Sequence, residues 1–274
     1  MDRRLPGSMD RILLRQTSLQ SRIENRIVES ADRLVFATAG ISDAYAVRYP
    51  GAANRFHVIT NGYDRSDFPT APGAQTPSRD GRFRLTYAGS VYGDRELELF
   101  LDGVELLLER SPALHEKLEI EFVGWFNLYN QTVAARYSTP DRLGSVLRFT
   151  GLLPHKEALG HLLDADALLQ VIGDGRNRSV VVGGKLVEYV GLDRQIFAVV
   201  PEGDARRVLR ELDWGIVADP TPQGVAEGLE RLLVARPPNR RADPEGLYDR
   251  VNLTGRLAGV LEDMLEERRA ILTK

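Results

Sequence analysis

FRLTYAGSVYGDRELELFLDGVELLLERSPALHEKLEIEFV, residues 83–123, carries the pattern that decides the fold. Phe83–Ala88 is a short apolar run of strand type, and Leu118–Val123 is a second. Between them Leu97, Phe100, Leu101, Val104, Leu107 and Leu108 recur at helical spacing, so one helix face is apolar. Two strands joined by a helix make a crossover unit, and a crossover leaves its strands parallel.

Further along, the alternation continues. Val146–Leu152, Ala165–Ile172, Ile196–Val200 and Gly215–Ala218 read as strands. A weaker helix over 128–137, then Pro154–Leu163, Lys185–Gly191, Asp204–Leu212 and Gln223–Leu233 read as the helices between and after them. Six strands in this pattern predict a Rossmann-like, doubly wound α/β fold with one parallel sheet over about residues 82–218. The strands read as continuous apolar runs, as expected when helices cover both faces.

On the N-terminal side, residues 9–30 place Leu19, Ile23 and Ile27 four apart, which makes an amphipathic helix in need of a packing partner. Leu34–Ala37 and His57–Ile59 read as short strands, the second stopped by the turn dipeptide Asn61-Gly62. Residues 69–81, rich in Pro and Gly, read as a linker. A terminal helix is expected from about Glu245 to Ile271, with Leu257, Leu261 and Leu265 four apart.

The composition removes several classes. The 274 residues include no cysteine, which excludes disulfides, thiol catalysis and Cys-ligated zinc. A net charge of -3 offers no electrostatic footprint for nucleic acid. No stretch approaches a transmembrane segment and the first residues lack an apolar signal core, so a cytoplasmic protein is expected. There is no His-Glu-x-x-His, no Gly-x-Ser-x-Gly and no Gly-x-Gly-x-x-Gly after the first strand. A zinc protease, an α/β-hydrolase triad and an NAD-type site are therefore not expected.

In open α/β sheets ligands bind beyond the carboxyl ends of the strands. The loop after the first strand carries Gly89, Ser90 and Arg95. Glycine lets backbone approach a ligand, and a guanidinium suits phosphate. The same residues also suit an ordinary βα turn with a surface Arg. The loop after the fourth strand carries Arg178 and ends in Gly183-Gly184-Lys185, where a helix begins. Free amides, the helix dipole and the ammonium would converge there on one anion. Glu188, one turn on, could reach a ligand hydroxyl; a solvated first turn would use the same residues. His155 lies at the mouth of the third βα loop.

Taken in chain order, these residues resemble a family, the retaining GT-B glycosyltransferases of group 1. Ala31-Asp32-Arg33-Leu34-Val35-Phe36-Ala37-Thr38 is similar to the family's "ADRVIAVS", and Val58-Ile59-Thr60-Asn61-Gly62-Tyr63-Asp64 to its "VIPNGVD". Tyr87-Ala88-Gly89 matches "YAG", and Gly151-Leu152-Leu153-Pro154-His155-Lys156-Glu157 matches "G-x-x-P-H-x-E". Gly184-Lys185-Leu186-Val187-Glu188-Tyr189 resembles "GKLFEY".

The resemblance implies the C-terminal, donor-binding half of a GT-B fold with remnants of the N-terminal domain. Residues 1–68 would be that remnant, 69–81 the linker, 82–240 the donor domain and 241–274 the terminal helix. It implies metal-independent sugar transfer, with retention, from a nucleotide diphosphate sugar to an acceptor hydroxyl, and no cofactor. Arg95 and Lys185 would act on the diphosphate as catalytic residues. Gly89, Ser90, Gly183, Gly184, Glu188, His155 and Arg178 would bind the donor, with Glu188 on the ribose. Val180 stands where the family places a first glutamate. The family's leading Rossmann strands have no counterpart in this sequence, so self-association or an N-terminal partner chain is expected. Two alternatives stay open, a nucleotide-sugar-binding module dependent on that partner and a GT-B-fold nucleotide-sugar epimerase.

Overall fold

The computed structural model describes residues 18–68, 81–91, 96–173, 178–235 and 240–272. The N-terminal piece runs α1 (Ser18–Ser30), β1 (Leu34–Phe36), α2 (Ala39–Arg48) and β2 (Phe56–Val58). The larger unit follows as β3 (Phe83–Ala88), α3 (Glu96–Arg110), β4 (Leu118–Val123), α4 (Leu128–Tyr137), β5 (Leu147–Gly151), α5 (His155–Leu163) and β6 (Ala167–Val171). It continues with α6 (Gly184–Gly191), β7 (Gln195–Val199), α7 (Asp204–Leu212), β8 (Ile216–Ala218) and α8 (Pro222–Val234), and α9 (Arg250–Leu272) closes the chain.

Strands β3 to β8 form one sheet in the order β5-β4-β3-β6-β7-β8, with every pairing parallel. Counted within the sheet, that is the doubly wound order 3-2-1-4-5-6, whose switch point lies between β3 and β6. Successive strand residues feed opposite layers. Leu169, Phe197 and Val199 pack with Phe100, Val104 and Leu229 of α3 and α8. Leu168, Ile196 and Ala198 pack with Leu186, Val190 and Leu209 of α6 and α7.

One part of the sheet departs from the expected apolar run. Glu119 and Glu121 point to one face of β4, and both are buried. Burying a carboxylate is costly unless it is paired. Arg84 Nε donates to Glu119 at 2.7 Å, and His161 Nδ1 lies 3.0 Å from Glu121. Arg148 adds a contact to Glu121 at 3.4 Å.

β1 and β2 pair in parallel as a separate small sheet. The apolar stripe of α1, Leu19, Ile23 and Ile27, read as needing a packing partner, and it finds none in the described residues. Those three are 52–64% exposed, while Val28 and Glu24 are buried. Glu24 tolerates burial because the Tyr45 and Tyr49 hydroxyls donate to it at 3.1 and 2.7 Å, and Arg48 lies 3.1 Å away. The rest of the expected 9–30 helix lies outside the described residues.

The N-terminal piece is fastened to the larger unit. The Gly40 amide donates to buried Asp204 at 2.8 Å, and the Tyr63 hydroxyl donates to Asp243 at 3.0 Å. α9 returns across it, with Arg268 on Asp32 at 2.8 Å and Arg256 donating to the Val58 carbonyl at 2.8 Å. That helix starts five residues later than expected because Asp243 accepts from the Leu247 and Tyr248 amides, holding residues 245–249 in turns. Among the described residues no helix is long and apolar enough to cross a membrane.

Candidate nucleotide site

The carboxyl ends of β3 and β4 and the start of α6 meet at one place. After Ala88 the chain turns through Gly89 at φ +120°, a conformation that L side chains rarely adopt. After Val123 it turns through Gly124 at φ +146°. The Gly89 amide donates to the Val123 carbonyl at 2.7 Å. A Cβ on Gly124 would lie 2.1 Å from the Gly89 carbonyl oxygen, so these two loops touch backbone to backbone.

Lys185 lies over this contact. A Cβ on Gly89 would stand 2.2 Å from Lys185 Cε. Its ammonium donates to the Tyr87 hydroxyl at 3.0 Å and to the Ser90 carbonyl at 3.4 Å. It also sits 4.7 Å above the Tyr87 ring. The Tyr87 hydroxyl donates in turn to the Ser90 carbonyl at 3.0 Å. Burial pushes the Lys185 ammonium below the ordinary lysine range, and Glu188 and Glu96 pull it partly back.

Helix α6 begins at Gly184 behind Gly183, which caps with no side chain. The Leu186 amide donates to the Gly183 carbonyl at 3.0 Å, and no side chain among the described residues caps this helix start, an arrangement that favours an anion. One turn on, Glu188 is half-buried, and its carboxylate makes no hydrogen bond among the described residues. Burial pushes Glu188 above the ordinary carboxylate range, and Asp67 adds to this, against His155, Lys185 and Arg250. A cavity of about 270 Å³ opens between Gly89, Gly124, Leu152, His155, Lys185 and Glu188.

The sequence-predicted residues thus divide. Gly89, Lys185, Glu188 and His155 line one cavity; the Ser90 carbonyl holds the ammonium; Gly183 and Gly184 form the helix start beside it. Arg178 pairs with Glu96 at 2.9 Å, and Glu96 also accepts from the Gly173 amide at 3.2 Å. That arginine ties the fourth loop to α3. Arg95 lies outside the described residues. Val180 is buried, and a Cβ on Gly40 would come within 2.7 Å of its Cγ1, so it borders α2.

Two residues at the site escaped the sequence reading. Tyr87 orients the ammonium; it stood in the motif similar to "YAG", but that motif did not mark it as a partner of Lys185. Gln170 sits under Gly183, buried, with no hydrogen-bond partner for its Oε1 among the described residues. It read as one more residue of an apolar strand.

Tyr189, fully buried on α6, accepts the Ala88 amide at 3.0 Å and so ties the helix to the end of β3. Tyr189→Phe leaves that partly buried amide unpaired. A loss of about 1–3 kcal/mol is expected, visible as a lower urea midpoint at unchanged m-value.

No family model and no curated protein matches this sequence. Solved structures do match in fold. HepE from Anabaena in complex with UDP superposes with a TM-score of 0.71 at 15% identity, over 90% of this chain and 68% of that one. A UDP-forming α,α-trehalose-phosphate synthase from Burkholderia xenovorans, bound to glucose-6-phosphate, gives 0.64 at 16% identity, over 90% and 64%. Sucrose-phosphate synthase from Thermosynechococcus elongatus gives 0.64 at 15%, over 98% and 66%. The chain spans about two thirds of the length of these structures. The sheet and its flanking helices have the fold of the GT-B glycosyltransferases.

Proposed function

We propose that the chain is the donor-binding half of a retaining, metal-independent glycosyltransferase that takes its sugar from a nucleotide diphosphate sugar. The observation that carries this is the half-buried Lys185, held over a glycine turn beside an uncapped helix start, with Glu188 one turn away. Cation and amides would bind the diphosphate, and Glu188 would accept from the ribose hydroxyls. As the glycosidic bond breaks, charge builds on the leaving diphosphate. Groups already aimed there stabilise the transition state without reorganising. Arg95 would add a second cation on the first loop, as the family resemblance suggests.

A second reading has a specific observation in its favour. Leu19, Ile23 and Ile27 on α1 and Leu261 and Leu265 on α9 present exposed apolar side chains on the N-terminal side. Exposed apolar side chains of this kind favour burial. In this reading the chain binds the nucleotide sugar and transfers it only when another chain, a copy or an N-terminal partner, covers that surface. An epimerase would need an acid and a base acting on the sugar, and the cavity's titratable groups, Lys185, Glu188 and His155, are all assigned to the nucleotide.

A thermal-shift series with UDP, GDP, dTDP and ADP tests the nucleotide site. A ligand at about 100 times its Kd adds about 2.7 kcal/mol to stability. One nucleotide is expected to raise Tm well above the others; no shift with any of them would remove the donor reading.

Glu188→Gln separates binding from stability. Loss of the charged acceptor should weaken the bound nucleotide by about 1.5–3 kcal/mol, read by calorimetry. Free of ligand, the variant should melt higher at pH 7. The folded-state pKa of Glu188 is raised, so above the ordinary carboxylate range the folded protein holds the proton more tightly than the unfolded chain. Wild-type stability therefore falls as pH rises through that window, and the gap to Gln should close near pH 4. A lower Tm for Gln at pH 7 would contradict the burial argument.

A further inference from the structure

Strand β5 forms one edge of the six-stranded sheet, and among the described residues no strand pairs with its outer side. In a parallel ladder alternate residues bond to the neighbouring strand. The Ile120 amide donates to the Val146 carbonyl at 2.8 Å, so Val146 and Arg148 turn their backbone groups toward β4. Leu147 and Phe149 turn theirs outward. The Leu147 amide is taken by the Leu143 carbonyl at 3.0 Å. That leaves the amide and carbonyl of Phe149, and the Leu147 carbonyl, on the open edge.

Edge strands are blunted in most proteins by charge or proline on the exposed side. Here the exposed side is aromatic. Phe149 stacks on Phe122 at 5.3 Å and meets Phe126 edge-on at 5.4 Å, yet it is 37% exposed. Beside it Gly124, Trp125, Gly151 and Leu152 line an apolar cavity of about 280 Å³. Trp125 and Leu152 are themselves exposed. The strand's one charge, Arg148, lies on the opposite face, 3.4 Å from Glu121.

We infer that this edge is where a second copy of the chain docks, β5 against β5, antiparallel about a two-fold axis at Phe149. The strand is self-complementary in that register. A hydrogen-bonded antiparallel pair exchanges both of its N–H···O bonds, and Phe149 is the residue with both groups on the open edge. Its ring then meets its counterpart. Leu147 of the second copy falls opposite Gly151, where a Cβ would meet nothing within 4 Å, and so closes the cavity. Arg148 falls opposite Thr150 of the second copy, so no like charges face each other. An axis one residue earlier would set Arg148 against Arg148. The register shift between Phe122 and Val123 ends the regular ladder just beyond Phe149, so the pairing is short and side chains supply most of the burial. A contact of this size belongs to weak, reversible dimers. It depends neither on the nucleotide reading nor on the exposed stripe of α1.

Sedimentation velocity on the full chain over about 1–200 μM, with hydrogen exchange at both ends of that range, tests this. A reversible monomer–dimer equilibrium is expected, with the Phe149 amide exchanging more slowly at high concentration. Thr150 points away from the aromatic face, so its variants spare the core. Thr150→Arg sets like charges opposite Arg148 of the second copy, twice per dimer, and should weaken association about tenfold. Thr150→Glu should strengthen it by a similar factor. A chain that stays monomeric throughout would overturn the inference. A dimer that ignores both Thr150 variants and leaves the Phe149 amide unprotected would overturn it too, and would move the contact elsewhere, to the α1 stripe for instance. Protection of Trp125 and Phe149 by UDP in a monomer would give the cavity to the nucleobase and end the docking proposal.

Discussion

Lys185→Met is expected to weaken nucleoside diphosphate binding by about 2–4 kcal/mol, roughly 30- to 700-fold in Kd, while the free protein melts higher than wild type. The binding loss follows from geometry. Lys185 is held at the turn by the Tyr87 hydroxyl and the Ser90 carbonyl, and it lies next to the uncapped start of α6. Methionine keeps most of the apolar stem that covers Gly89 and removes only the charge and its donors. The gain in Tm follows from burial. The folded-state pKa of Lys185 is lowered, so between the two pKa values the unfolded chain binds more protons than the folded protein. Below that window the folded protein carries the full cost of a desolvated ammonium. The advantage of Met should therefore be present at pH 7 and shrink as pH rises into the alkaline range. Calorimetry for Kd and a melting series across pH read both effects. A variant that binds normally would show that the diphosphate is held elsewhere.

The sheet was legible in the sequence because strands buried on both faces read as continuous apolar runs, and the alternating helices fix their direction. The glycine-rich start of α6 was legible for a similar reason, since Gly183-Gly184-Lys185 is local along the chain. What was not legible depends on contacts between distant residues. Nothing near Lys185 in sequence announces that its ammonium rests on Tyr87. The alternation of Leu118-Glu119-Ile120-Glu121 would suit a strand with one wet face. Its glutamates are buried instead, because Arg84 and His161 arrive from other elements to pair them. The stripe on α1 teaches the complementary lesson. Helical periodicity finds an apolar face but does not say what lies opposite, and the face packed here is the one bearing Glu24 and Val28. Arg178 read as a donor-binding cation on the fourth loop, and nothing near it in sequence announced its ion pair with Glu96 on α3.

Gly89→Ala should reproduce the binding defect of Lys185→Met by displacing Lys185, leaving the lysine itself in place. At φ +120° an L residue is strained, at a cost on the order of 1–3 kcal/mol. The new methyl would also stand 2.2 Å from Lys185 Cε and 2.8 Å from its Nζ. Lysine is flexible, so the side chain yields before the backbone does. Yielding takes the ammonium off Tyr87 and Ser90 and out of line with the α6 amides. The stability loss should therefore come from the backbone term, while the binding loss comes from the displaced cation. These two effects are separable in the double variant. If Gly89 acts on the ligand through Lys185, adding Ala at 89 to the Met variant should cost stability again but little further affinity, a coupling that a double-mutant cycle reads directly. Additive binding losses would instead mean that the Gly89 backbone itself touches the nucleotide, with the amide and the ammonium as independent contacts. The melting curves distinguish either case from simple unfolding, because Gly89→Ala alone is expected to remain folded with a lowered Tm.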